Sequence, residues 1–181
     1  MATDTDSQDH HDPTAEMDDL MRQHRHAAAE HVLRQYTLGA MAVGLVPIPV
    51  VDLAALVALQ LKMLHSLART YDIEFKTDLG RSAIASLVGG TVSTILSPTL
   101  AASLAKLIPG IGQTLASSSA MLLNGAATYA VGKVFIQHFA SGGTFLSFDP
   151  EAVRDYFQTQ LQEGGRVATE WQKAKNDNTV S

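Results

Sequence analysis

A single charged residue, Lys106, stands in the whole stretch 82–132. The uncharged runs on either side of it, 82–105 and 107–132, are each long enough to cross a hydrocarbon core as a helix, which takes about 20 residues. A chain built this way must either place these runs in lipid or make a core of them. Their composition bears on the choice. They are rich in Ser, Thr, Gly and Ala, are interrupted by Pro98, Pro109, Gln113 and Asn124, and hold few consecutive large aliphatics. Isolated helices of that kind span a bilayer poorly. A second sparsely charged stretch, 37–61, carries only Asp52 and is broken by Pro47 and Pro49.

Periodicity assigns both stretches to helix. Ile84, Leu87, Val88, Val92, Ile95 and Leu96 recur at three- and four-residue steps, and Leu100, Leu104, Leu107, Ile108, Ile111 and Leu115 continue the spacing beyond Pro98. Opposite this stripe runs a ridge of small residues: Ser82, Ser86, Gly90 and Thr94, with Gly89, Ser93 and Ser97 beside it. Such a ridge lets a second helix backbone come close. The competing reading is an Ala- and Ser-rich core helix of a compact bundle. Asp12-Pro13 and Asp149-Pro150-Glu151 each set a capping carboxylate before a proline, a helix-start signal. The pattern predicts a first helix over 13–46 and a second from about Val50 to Tyr71. A late amphipathic helix carries Val153, Tyr156, Phe157 and Leu161, and Gly164-Gly165 separates it from a short turn with Val167 and Trp171. No segment alternates apolar and polar residues as a half-buried strand would. The expected fold is all-α, with broken apolar helices or helical hairpins packed between amphipathic N- and C-terminal helices. An acidic disordered arm is expected at 1–12, one helical domain at 13–172 and a disordered tail at 173–181.

Charge narrows the partners. The chain is 46% hydrophobic and 17% charged with a net charge of −5, but seven of its acids and none of its Lys or Arg lie in 1–21, which leaves the remainder at +2. A near-neutral body behind an acidic arm lacks the clustered cations of a nucleic-acid binder. There is no cysteine, hence no disulfide framework, thiolate nucleophile or cysteine-type zinc or iron–sulfur site. No basic start with an apolar run marks a secretory signal, so the N-terminus is expected to be cytoplasmic.

Candidate chemistry is sparse. His10-His11-Asp12 and His24-x-His26 invite a metal, but helical ligand pairs sit three or four apart, and a solvated histidine-rich arm explains them better. Gly110-Ile111-Gly112-Gln113-Thr114 lacks the Lys–Ser/Thr of a phosphate loop and follows no strand. Ser117-Ser118-Ser119 has no nearby base. Neither catalysis nor a cofactor is expected. Asp52 is the residue singled out: a carboxylate in an apolar stretch must be paired, hydrated or capping, and its place after Pro47-Ile48-Pro49-Val50-Val51 suits a cap on the second helix. The rival role is partner binding or an ion pathway, and a pair with Lys106 is a further possibility.

The string Val46-Pro47-Ile48-Pro49-Val50-Val51-Asp52 with Gln60, Lys62-Met63-Leu64 and Tyr71 forms one block. Leu107-Ile108-Pro109-Gly110-Ile111-Gly112, then Ala126-Ala127-Thr128-Tyr129-Ala130-Val131-Gly132, Phe139 and Gly142-Gly143 form a second. Their order resembles the YcjF-type family of bacterial membrane-associated, GTPase-linked helical proteins, over about 37–145. The resemblance implies a helical module without catalytic residues, acting beside a GTPase. Joined to the residue pattern, it leads to a membrane-associated scaffold or adaptor at the bacterial cytoplasmic membrane. In that reading the chain contacts lipid and self-associates through the Ser82, Ser86, Gly89, Gly90, Ser93 and Thr94 faces as a homo-oligomer. The rivals are a cytoplasmic helical protein-interaction module and an oligomeric pore.

Overall fold

A computed structural model describes residues 13–44, 49–95 and 115–177, with the side chains of 49–53, 90–95, 115–119 and 175–177 outside the description. Among the described residues the chain forms five α-helices and no strand, the all-α fold expected from the periodicity: α1 (Pro13–Val43), α2 (Pro49–Thr70), α3 (Thr77–Ile95), α4 (Leu115–Ala140) and α5 (Arg154–Asp177).

The arrangement follows from α4. A helix apolar on every side has to be covered on every side, and α4 buries Met121, Leu122, Ala126, Thr128, Ala130, Val131, Val134, Phe135, Ile136 and Phe139. It packs along most of its length against α5 and α1 and more lightly against α2, while α3 lies on α2. Each covering helix contributes one stripe. α1 gives Ala29, Leu33, Thr37, Ala40 and Met41, α2 gives Met63, Leu64, Leu67 and Ala68, α3 gives Ala83, Ile84 and Leu87, and α5 gives Phe157, Leu161 and Ala168.

Aromatic rings close one end of the core. Phe135 stacks on Phe148 at 4.7 Å between centroids, and Phe145 meets Phe139 edge-on at 5.2 Å and Phe75 at 5.5 Å. Two helix ends make this possible. α4 stops in a Schellman turn, with Gly143 N–H donating to His138 O at 2.9 Å and Gly142 N–H to Phe139 O at 3.0 Å, while Gly142 takes φ 80°. α2 stops in the same way: Ile73 N–H reaches Ala68 O at 2.8 Å and Asp72 stands at φ 56°. The chain turns there and brings Phe75 and Phe145 under the bundle.

Four expectations are corrected. α1 ends at Val43, before Val46. Asp149 Oδ1 accepts the Glu151 and Ala152 N–H groups as a cap, but it caps a turn, and the regular helix begins at Arg154. α5 runs unbroken through Gly164-Gly165. It also continues to Asp177, past Lys173 where a tail was expected, with the Arg34 guanidinium 5.6 Å from the Trp171 ring centroid near its end. The glycine pair is a contact surface and not a break: both residues are buried, and a Cβ on Gly164 would stand 2.9 Å from Ala126 O and 3.0 Å from Ala126 Cα. The α4 and α5 backbones touch here.

This predicts the sign of a substitution. In an open helix Gly→Ala stabilises by about 1 kcal/mol. Gly164→Ala is expected instead to destabilise by about 1–3 kcal/mol, because the obstacle is backbone and cannot rotate away. Thermal denaturation by circular dichroism decides it, and a raised melting temperature would disprove the close approach.

Candidate functional site

The motif residues separate into those that hold the bundle together and those on its surface. Gln60 and Thr128 are both fully buried, and Gln60 Nε2 donates to Thr128 Oγ1 at 3.3 Å across α2 and α4. Such a bond is worth about 1 kcal/mol net, whereas either partner left alone would cost about 1–3 kcal/mol. One turn on from Thr128, Gly132 opens the place into which the Leu33 and Met63 side chains fit, and a Cβ there would overlap Leu33. Lys62 is exposed. Pro49 opens α2, so Asp52 sits inside that helix and not ahead of it, which is not an N-cap position. The Asp52 side chain, its suggested pairing with Lys106, and Pro47, Pro109, Gly110 and Gly112 lie outside the described residues, as do His10 and His11.

The described part of the small-residue ridge is exposed. Ser82, Ser86 and Gly89 are exposed, Ser86 Oγ donates back to Ser82 O at 2.8 Å, and a Cβ added to Gly89 would meet nothing within 4 Å. The ridge backbone continues through Gly90, Ser93 and Thr94 on α3, whose side-chain surroundings are not described. Beside it runs a groove of about 810 Å³ between α2 and α3. Ala54, Val57, Ala58 and Leu61 form one wall, Ile84, Ala85, Val88 and Gly89 the other, with Gln60 and Ala127 also in the lining and Arg81 as the single charge among the described residues that line it. Gln60 is committed to Thr128, so these residues offer apolar surface and small side chains and, among themselves, no nucleophile–base pair. It suits an acyl chain or the side chains of a second helix.

A family model described as "Domain of unknown function (DUF697)" matches residues 10–166, from the N-terminal side of α1 into α5. The chain belongs to the DUF697 family. A relative, "Magnetosome membrane protein 22" of Magnetospirillum gryphiswaldense, is 41% identical over 144 residues, covering 80% of this chain and 74% of that protein. No solved structure matches. The match is longer than the 37–145 of the resemblance and takes in both amphipathic flanks, and it stops at this family without reaching the narrower YcjF-type name.

In this DUF697 chain the strongest internal charge pair went unread in the sequence. Lys133 Nζ donates to Glu30 Oε1 at 2.7 Å, tying α4 to α1 across a separation of 103 residues, and it also stands 5.6 Å from the Tyr129 ring centroid. The one signal available was that Lys133 closes the uncharged run. His24 and His26 are exposed, His26 Nε2 lies 3.8 Å from Glu30 Oε1, and among the described residues no group of three potential ligands could hold a metal. A smaller cleft of about 510 Å³, lined by Arg22, Arg25, His26, Tyr71, Ile73 and Phe139 among others, lies alongside. The Tyr71 hydroxyl is buried with no hydrogen-bond partner among the described residues.

Burial acts against the Lys133 charge, but the hydrogen bond and charge of Glu30 overcome it and hold its pKa above the usual 10.5. Burial first, and Glu30 second, push Tyr71 above 10.0; burial also raises Tyr129 against the opposing Lys133. A raised folded-state pKa contributes stability that is complete below the unfolded value and lost as pH rises through the folded one. Stability should therefore fall above about pH 10. In Glu30→Gln burial is opposed only by the charges of Tyr129 and Tyr156, the upward hold on the Lys133 pKa weakens, and the alkaline fall should become shallower. Melting temperatures measured across alkaline pH check this; equal slopes in the two proteins would remove Glu30 from the account.

Proposed function

We propose that this chain is a membrane-associated helical scaffold that rests apolar surface of α2 and α3 on lipid and self-associates through the small-residue edge of α3. The observation that carries the reading is the uncovered apolar groove beside that edge, in a chain 41% identical to a protein named for a membrane. No helix among the described residues is long and apolar enough to cross a membrane. The contact is accordingly ascribed to a helix face that buries apolar area at the interface, a mode whose strength scales with that area. The proposed location is the bacterial cytoplasmic membrane with the N-terminus in the cytoplasm. A GTPase partner is the finer part of the proposal and rests on the YcjF-type resemblance alone. The scaffold is not proposed to be an enzyme.

Flotation of the full chain with phosphatidylethanolamine–phosphatidylglycerol vesicles tests the lipid contact. The wild type should float, and Ala85→Glu, which puts a charge on the exposed lip of the groove, should lower the bound fraction on the order of tenfold, equivalent to about 1.4 kcal/mol, with unchanged helicity. Undiminished flotation of this variant would remove the groove from the interface. A wild type recovered wholly as a monodisperse species free of vesicles would replace the reading with a protein-interaction module.

The edge of α3 has its own test. Ser86→Leu fills the exposed ridge without touching the core, and it should shift crosslinked oligomers toward monomer. An oligomer distribution like the wild type's would mean the ridge is not a contact.

A further inference from the structure

The first half of α1 buries none of its residues in the bundle and borders it at Arg22, Arg25 and His26, beside Tyr71 and Phe139. Every residue from 13 to 27 is exposed, and the helix first buries a side chain at Ala29. Within this exposed half Met17, Leu20 and Met21 are 59%, 56% and 56% exposed. With His24 they form a stripe at i, i+3, i+4 and i+7. The stripe cannot turn inward, because the buried stripe of the same helix, Ala29, Leu33, Thr37 and Ala40, lies on roughly the opposite side. Local support consists of exposed side-chain contacts such as Arg22–Asp19 at 3.3 Å and Gln23–Asp19 at 2.8 Å. Isolated helices of this length are poorly stable in water.

Charge selects what covers the stripe. The segment begins acidic, with Glu16, Asp18 and Asp19, and ends basic, with Arg22 and Arg25. Asp18 and Arg25 are seven residues apart and so border the stripe on the same edge. An anionic lipid surface would be repelled by the acidic end and by the acids that precede it. A parallel copy would set acidic end against acidic end. An antiparallel copy brings Asp18 of each chain to Arg25 of the other while the Met17, Leu20 and Met21 stripes face each other. Arg25 is available for this, since its contact within the chain is a 3.5 Å approach to Asp72 between exposed side chains and a guanidinium carries five N–H donors.

We propose that two copies of this chain pair through the exposed first half of α1, antiparallel, with the Met17–Leu20–Met21 stripes in contact and reciprocal Asp18–Arg25 ion pairs at the border. The contact uses a different surface from the lipid groove and the α3 ridge, and it does not depend on membrane binding.

The test is a charge exchange in the full chain without lipid, followed by sedimentation equilibrium. Asp18→Lys alone and Arg25→Glu alone each face like charges across the pair and should self-associate about tenfold more weakly than wild type. Mixed in equal amounts, the two variants should regain association, because both ion pairs are restored with reversed sense at one of them. The absence of native cysteine allows a second reading. Met17→Cys mixed with His24→Cys should form a disulfide-linked heterodimer, whereas Met17→Cys should not crosslink with itself. A monomeric wild type, variants that associate as wild type does, a mixture that fails to recover, or self-crosslinking of Met17→Cys would each overturn the proposal. Flotation of Asp18→Lys should match wild type, so a failure here is distinguishable from a failure of the lipid reading.

Discussion

Coverage of α4 is the constraint on which the rest of the structure depends. A helix carrying Ala126, Thr128, Ala130, Val131, Val134 and Phe135 at or near complete burial gives water little beyond Leu123, Gln137 and Ala140 along its described length. Three helices must therefore lie along it, and the residues that let them come close are small or matched: Gly132 for Leu33 and Met63, Gly164 for the α5 crossing, Thr128 for Gln60. Two of the polar contacts that enter this core are matched, Gln60 with Thr128 inside it and Lys133 with Glu30 at its margin, while the buried Thr37 and Tyr71 hydroxyls find no partner among the described residues.

Once α4 is covered, α3 is left over. It reaches the bundle mainly through α2, buries Ala83, Ile84 and Leu87, and presents Ser82, Ala85, Ser86 and Gly89 outward. The Ser and Gly content of this segment lowers its worth as a lipid-spanning helix and raises its worth as a surface another backbone can approach, because small side chains give up transfer free energy and gain close contact. One composition thus accounts both for the absence of a membrane-crossing helix among the described residues and for the groove that the proposed lipid contact uses.

The fold class was legible because three- and four-residue spacing of Ile84, Leu87 and Val88, like the proline at Pro49 where α2 opens, is a local signal that tertiary packing did not override. The amphipathic start at Pro13 was legible for the same reason. Gly164-Gly165 misled because glycine has two meanings in a helix, low propensity and close approach, and the neighbour that decides between them, Ala126, is 38 residues away in sequence. Lys133–Glu30 was illegible for the same cause, since an ion pair over 103 residues leaves no mark on spacing. Gln60, Thr128 and Gly132 were found by resemblance as motif positions, and the structure supplies what spacing could not, namely that these three are packing residues of one α1–α2–α4 junction. Of the ridge, Ser82, Ser86 and Gly89 stand exposed on α3, and whether a neighbour within the chain covered them depended on where α2 and α4 ended up, which spacing does not record.

The two proposed contacts between copies have a geometric consequence when they occur on one chain. An antiparallel pairing of α1 with itself is isologous, and it closes at two copies. A pairing of α3 with α3 through its small-residue edge is isologous as well, on a different element. A chain with two distinct self-complementary surfaces cannot satisfy both within a single dimer unless their two-fold axes coincide; otherwise each dimer made by one surface still offers the other, and assembly continues. The reach of such an assembly depends on α1, because its exposed half projects the first contact away from the bundle while α3 keeps the second beside the groove. A lipid surface beneath the groove would hold α3 edges in one plane and raise their effective concentration, so that membrane binding and assembly reinforce each other without any change in the fold. That coupling is the physical sense in which a small helical bundle would act as the proposed scaffold.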